Sequence, residues 1–285
     1  MATVYHHYNQ EQLDLQYDNR RRIDNFEEFA NYYHSASERT RAEQPDRLDI
    51  SYGPSDAEVL DVFLPSGGGS GLPVQVFFHG GYWRAFASRD WDYVCGPVNE
   101  AGGISVVVNY ALMPGVTMEE LLRQCGASLT WTRDNIGDHG GDPSRIHISG
   151  HSAGGHIVAM MLSHRDRHGT PIAGAVAISG LYDLEPIRLC YLNETLQLQE
   201  NDVSPNSPIH NLPSRLEGPL VIAYGALESD EYARQATTYH RLLNQQGLAP
   251  ELRAVNGVEH MAIARDLGTR DTDMTDIILK QMGLV

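Results

Sequence analysis

The stretch that most limits how this chain can fold is residues 145–156, Arg-Ile-His-Ile-Ser-Gly-His-Ser-Ala-Gly-Gly-His. Ile146 and Ile148 read as a buried β-strand, and Ala153 to Leu162 read as a helix that begins at once. Between them stands Gly150-His151-Ser152-Ala153-Gly154, a G-x-S-x-G spacing. So sharp a reversal forces the serine into a strained backbone conformation and lifts its hydroxyl above the strand end. Side chains two residues to either side would run into neighbouring backbone, which calls for glycine at 150 and 154. The unpaired amides of the new helix then point at whatever the hydroxyl attacks. Taken alone, the pattern also fits an ordinary glycine-rich turn, so its surroundings decide its meaning.

Those surroundings alternate strand and helix. Strands are expected at 48–50, 59–64, 74–78, 104–110, 145–149, 174–179, 219–224 and 251–255. Helices are expected at 87–102, 117–136, 153–165, 231–246 and 267–281. This rhythm predicts an α/β fold: a mostly parallel sheet of about eight strands, covered by helices on both faces. The first strands lie close together in sequence and are expected to be antiparallel. Pro65 to Gly71 is a low-complexity surface turn, and no Gly-Lys-Ser/Thr follows it as a phosphate loop would require. Residues 184–217 are too long for a simple connection. They read as a small, partly helical insertion over the C-terminal edge of the sheet, where such folds bind ligands. A pocket lid and a structural flap are both open to it. Residues 1–45 read as a separate N-terminal arm with one helix near 25–42, and 46–285 as the catalytic domain. The arm's aromatics either cover an active-site mouth or dock the arm on the body.

Net charge is −16 at pH 7, which argues against nucleic acid or an anionic membrane as partner, since phosphate binding needs clustered cations. Cys95, Cys125 and Cys190 are widely spaced and give neither a disulfide framework nor zinc-ligand spacing. No metal and no cofactor are expected. No secretory pattern opens the chain and no apolar run is long enough to span a bilayer, so a cytoplasmic location is expected. The expected partner is a small acyl amide or ester; a homodimer is compatible with the chain.

A second motif, His79-Gly80-Gly81-Tyr82-Trp83, directly follows the strand at 74–78. Acyl transfer builds negative charge on a carbonyl oxygen, and preset backbone amides stabilise it by about 3–4 kcal/mol per donor. The amides of Gly81, Tyr82 and Ala153 are the candidates for this oxyanion hole. His79 reads as structural. A serine hydroxyl also needs a base. Of 13 histidines, His260 is the candidate, because it follows the last strand and so lies at the same sheet edge as Ser152. His151 is expected to start on the other side of the elbow, His147 to lie too far back in the strand, and His156 to pack within the helix. The orienting carboxylate should fall between serine and base in sequence. Glu228, in the loop after the strand at 219–224, is the first choice. Asp230, which also suits a helix cap, and Asp183 stay open. Tyr82 and Trp83 are candidates for walls of an aromatic pocket, with core packing an equal role for Trp83.

With both motifs and this order in place, the chain resembles the α/β-hydrolase superfamily over roughly 45–282. Within it the chain resembles the kynurenine formamidases (arylformamidases) and their bacterial esterase relatives. His79 to Trp83 is the most discriminating match, because lipase-like relatives usually carry a third glycine where Tyr82 stands. Ser179 to Leu184, Asn193, Ser207-Pro208, Glu228 to Tyr232 with Arg234-Gln235, and Asn256 to His260 are similar to further family segments. The family's acid is often aspartate, and Glu228 departs from that. The resemblance implies a serine hydrolase that turns N-formyl-L-kynurenine into kynurenine and formate, or cleaves a small acyl ester or amide of an aryl leaving group. Two alternatives are carried: a broad-specificity carboxylesterase of short-chain esters, and a ligand-binding protein that keeps the fold without catalysis.

Overall fold

Residues 2–285 are described by the computed structural model; Met1, where the expected arm begins, lies outside them. Eight strands form one sheet: β1 (Ile50–Ser51), β2 (Val59–Phe63), β3 (Leu72–Phe78), β4 (Ile104–Val108), β5 (Gly141–His151), β6 (Gly174–Ile178), β7 (Leu220–Gly225) and β8 (Glu251–Val255). Their order is β1-β2-β4-β3-β5-β6-β7-β8. β2 runs antiparallel to β1 and β4, and every other pairing is parallel. A short turn can join only antiparallel neighbours, whereas parallel ones need a crossover. The helices expected after the third strand supply those crossovers. This is the mostly parallel α/β sheet that the alternation predicts, and its strand order is the one implied by the resemblance.

The parallel strands are apolar on both faces because helices cover both. Val74, Val76 and Phe78 of β3 point into one layer with Leu121, Cys125 and Leu129 of the helix Met118–Asn135 and with Ile157 of the helix Ala153–Ser163. Phe77 points into the other, with Ile278 and Leu279 of the helix Asp273–Met282. The strand period of two divides each strand between the layers. All three cysteines are buried and free. No helix among the described residues is long and apolar enough to cross a membrane.

Several boundaries differ from expectation. The expected helix 87–102 is two 3-10 turns, Ser88–Asp90 and Asp92–Val94, followed by the helix Cys95–Glu100. Pro97 fits only a first turn, so the helix cannot begin much earlier. The last helix starts at Asp273, where Thr272 caps it, rather than at 267. A short helix, His260–Arg265, was not foreseen. The segment 184–217 holds three short helices, Glu185–Leu189, Asn193–Leu196 and Glu200–Asn206.

The arm carries three helices rather than one: Gln10–Tyr17, Asn19–Arg22 and Phe26–Glu43. It shares both core layers with the body, Leu13 and Tyr17 entering one, Phe29 and Tyr33 the other. Arg41 pins its long helix. The guanidinium donates to Asp61 Oδ2 at 2.8 Å, Asp92 Oδ2 at 2.7 Å and Asp49 Oδ2 at 3.0 Å. The Asp61 and Asp92 side chains are fully buried. Removing one partner of a buried ion pair strands the other charge, at a cost of about 3–5 kcal/mol. Arg41→Met is therefore expected to lower the unfolding free energy obtained from urea titration by an amount in that range, whereas Arg253→Met, on the exposed edge strand, should change it by less than about 1 kcal/mol. Equal free energies for the two variants would refute this account of how the arm is held.

Candidate active site

The elbow sits where β5 ends between β3 and β6. Ser152 has φ 59° and ψ −117°, a left-handed backbone conformation that a non-glycine residue adopts only when its surroundings enforce it. Two hydrogen bonds hold it, Ser152 N to Ile178 O at 2.8 Å and His156 N to Ser152 O at 3.1 Å. A Cβ on Gly154 would lie 1.9 Å from the Phe78 carbonyl oxygen, so the new helix can lie this close to β3 only without a side chain there.

The loop after β3 is strained as well. Gly81, Tyr82 and Trp83 have φ of 117°, 49° and 56° in succession. A Cβ at Gly81 would meet Ala85 O at 2.2 Å. Arg84 N and Ala85 N donate back to Gly81 O, which closes a tight turn. Among the described residues the amides of Gly81, Tyr82 and Ala153 have no hydrogen-bond partner. Three unspent donors beside one serine suit a developing oxyanion.

Of the three acids left open by the sequence, Glu228 is the one beside His260, with Oε1 3.3 Å from Nδ1. Both side chains are nearly inaccessible, at 5% exposure for the histidine and 1% for the glutamate. Asp183 instead accepts from Tyr5 Oη and Arg234, and Asp230 is the exposed first residue of the helix Asp230–Gln245. With Nδ1 facing the carboxylate, Nε2 is left as the free nitrogen. No hydrogen bond joins Nε2 to the Ser152 hydroxyl. Such bonds are often long before substrate binds and tighten in the complex. His260 and Ser152 line the same cavity. Burial pushes the Glu228 carboxyl up to about 7 and pulls the His260 imidazole down to about 3. The resting imidazole is therefore neutral and able to accept a proton.

Several contributing residues escaped the sequence reading. Ser179 directly follows β6, has φ 50°, and donates from Oγ to Glu228 Oε1 at 2.5 Å. The rule that ligand-handling groups gather at the C-terminal strand ends would have found it. Tyr232 lays its ring 4.5 Å from that of His260 and shares a 2.6 Å hydrogen bond with Tyr82 Oη. His151 corrects an expectation. Its ring lies 4.4 Å from the His260 ring, not away from it, and neither nitrogen has a partner among the described residues. β5 extends through His151, so that side chain alternates onto the face where Trp91 and Met261 pack. The loop after β8 folds over that same face.

His79 is wholly buried, stacked on Tyr110, with Nδ1 2.7 Å from Gly80 O. His156 accepts at Nδ1 from Trp83 Nε1 at 3.2 Å, so its Nε2 carries the proton donated to Asn206 O at 2.7 Å. Trp83 is thus core. It is fully buried and does not line the cavity, because φ +56° turns it inward onto His156, and only Tyr82 of the expected pocket pair remains a wall.

The cavity over Ser152 is about 230 Å³. Phe86 and Trp91 wall it from the body, Phe26 from the arm, and Tyr191 from the 184–217 segment. Two larger grooves, about 490 and 610 Å³, run along the helix Met118–Asn135, but neither contains the elbow or an acid–imidazole pair. Among the described residues no group of three His, Cys, Asp or Glu side chains is placed to hold a metal ion.

Comparison with known proteins bears on this arrangement. A family model described as the α/β hydrolase fold matches residues 75–264. Kynurenine formamidase of Danio rerio is 30% identical over 256 residues, covering 87% of this chain and 86% of its own. That of Salmo salar is 31% identical over 255 residues, covering 87% and 85%. A solved structure from Silicibacter sp. TM1040, described as a tentatively assigned thioesterase, matches with a TM-score of 0.83 at 26% identity over 94% of this chain and 98% of that one. A hyperthermophilic esterase from Pyrobaculum calidifontis shares the fold, with a TM-score of 0.70 at 22% identity over 90% of each chain.

Burial of so many imidazoles has a consequence for stability. Desolvation draws His79 and His156 down to about 4 and His260 to about 3, and holds His151 well below its ordinary value. An unfolded chain takes up these protons near pH 6.5, while the folded one resists until far lower. Stability is thus full above about pH 6.5 and is lost as pH falls toward 4. Asp61, Asp92, Glu228 and Glu259, all raised by burial, act in the opposite sense, but burial also lowers His139, His147, His164 and His168, so the lowered imidazoles outnumber them. The melting temperature should fall steadily between pH 6.5 and 4.5; a flat profile there would contradict this balance.

Proposed function

This chain belongs to the α/β-hydrolase-fold family and is a hydrolase of the arylformamidase or esterase type; we propose that it is a serine-dependent arylformamidase acting on N-formyl-L-kynurenine or a closely similar aryl formamide. The observation that carries this reading is the Glu228–His260 pair, whose imidazole lines one small aromatic cavity together with Ser152. The names of its relatives and the size of the cavity support the formamide over a long-chain ester. About 230 Å³ lies below the usual range for drug-sized ligands, and five aromatic residues, Phe26, Tyr82, Phe86, Trp91 and Tyr191, suit an aryl group.

Ser152 Oγ attacks the formyl carbon while His260 Nε2 takes its proton. Glu228 stabilises the resulting imidazolium through Nδ1 and is itself held by Ser179. The amides of Gly81, Tyr82 and Ala153 bind the oxyanion. The intermediate collapses when His260 returns the proton to the aryl nitrogen and the C–N bond breaks, leaving a formyl ester on Ser152. A water molecule, deprotonated by His260, attacks that ester. Formate leaves, and the proton goes back to Ser152. Donors placed in advance cost no reorganisation at the moment of reaction, and this gives the strained turn at 81–83 a use.

Two outcomes test this reading. Ser152→Ala should reduce kcat by about 10⁴-fold or more with an unchanged melting temperature. The wild-type kcat/KM for N-formyl-L-kynurenine should exceed that for p-nitrophenyl acetate; an ester preference of about 100-fold would favour the carboxylesterase instead. The pH profile adds a third check. The first proton taken up by the Glu228–His260 pair disables the base, whichever residue holds it. Since burial sets the carboxyl at about 7, kcat/KM should fall as pH drops below about 7. A plateau extending down to pH 5 would rule out this role for the pair.

A further inference from the structure

Two arginines, Arg20 and Arg84, line the cavity over Ser152, and none of its lining residues is an aspartate or glutamate. This is unexpected in a chain with 37 acidic against 21 basic side chains. Arg20 is already neutralised by an ion pair with Glu27. Arg84 is different. Among the described residues it forms no ion pair. One Nη donates to Thr195 Oγ1 at 2.8 Å, and the guanidinium lies 5.9 Å from the centre of the Tyr191 ring. A guanidinium carries five N–H donors in a planar fork that matches a carboxylate. One of the five is used here.

Its place in the chain matters as much as its charge. Arg84 belongs to the tight turn that carries the free amides, and its own amide donates to Gly81 O at 3.0 Å. The backbone strain that fixes Gly81 and Tyr82 therefore also fixes where this cation starts. Tyr191 and Thr195, from the 184–217 segment, hold the other end of the side chain. The whole molecule is negative and repels an anion at long range, so an anion must be recognised by a local cation.

We propose that Arg84 is the specificity-determining residue of this site, selecting substrates that carry a carboxylate on the aryl leaving group. This deepens the hydrolase reading and rests on it. A formyl acyl group has no atoms on which to place a charge, so the carboxylate belongs to the leaving group. The aromatic walls take the ring, and Arg84 takes the acid at its far end. Charge-assisted, bidentate contacts of this kind are the stronger class of hydrogen bond, and they weaken when either partner loses its charge.

The test compares kcat/KM for 4-acetoxybenzoate and for its neutral methyl ester, together with binding of 4-hydroxybenzoate followed by tryptophan fluorescence. Wild type should prefer the charged ester. Arg84→Met should lower the charged-to-neutral ratio by about 10- to 100-fold, mainly through KM, and weaken 4-hydroxybenzoate binding by about tenfold. Arg84→Lys should restore a large part of both. Thr195→Val, which removes the supporting hydroxyl but keeps the cation, should cost less of the charged-to-neutral ratio than Arg84→Met does; a loss as large as that of Arg84→Met, with the melting temperature lowered equally in both, would mean that the contact is structural and would overturn the proposal. So would an unchanged ratio, or equal 4-hydroxybenzoate binding, in Arg84→Met. If neither ester is turned over while the binding difference persists, the role of Arg84 stands, and the hydrolase reading fails only if N-formyl-L-kynurenine is not turned over either.

Discussion

The backbone of Ser152 is held in a conformation it would not choose, and the rest of the site is placed relative to it. A non-glycine residue at positive φ costs on the order of 1–3 kcal/mol. That cost is met by the pairing of β5 between β3 and β6, by the Ser152 N to Ile178 O bond, and by a helix seated so close to the Phe78 carbonyl that Gly154 can carry no side chain. The strain is repeated nearby: Gly81, Tyr82 and Trp83 after β3, and Ser179 after β6, also have positive φ. Each of these loops leaves the same edge of the sheet and turns back at once. The sheet thereby becomes a platform whose edge displays a hydroxyl, free amides and a second hydroxyl in fixed relation.

Sheet geometry alone does not bring His260 to that edge. β8 lies three strands from β5, and three strand spacings are about 14 Å. The loop must therefore fold back across the sheet. Hydrogen bonds from Ala226 N and Leu227 N to Val255 O and Val258 O tie the loops after β7 and β8 together. Glu259 caps the short helix that begins at His260, accepting from Met261 N at 2.6 Å and Ala262 N at 2.9 Å. Tyr33 of the arm donates to Met261 O at 2.6 Å. The arm is thus part of the support for His260 as well as a wall of the cavity.

Charge is distributed to match. The acidic excess lies mainly at the surface, while the buried ionisable groups of the site are few and face one another. Burial leaves His260 neutral and raises Glu228, so each depends on the other and on Ser179 for its working state. Arg84 stands at the cavity as a cation without a carboxylate, the reverse of the balance over the whole chain.

The periodicities of the chain were enough to read the strands, their mostly parallel order and the strand–turn–helix at Ser152, because alternation and glycine placement are local consequences of backbone sterics. Loop positions after successive strands also pointed to Gly81, Glu228 and His260 as neighbours at one edge, since parallel strands end on the same side. What the chain could not show by itself was contact between segments far apart in number. That Ser179 holds Glu228, that His151 lies against His260, that Trp83 turns into the core, and that Asn19 and Phe26 reach the cavity all follow from how loops fold over the sheet. Local sterics set each turn; which side chains those turns bring together depends on packing between distant segments, and that exists only once the whole chain is folded.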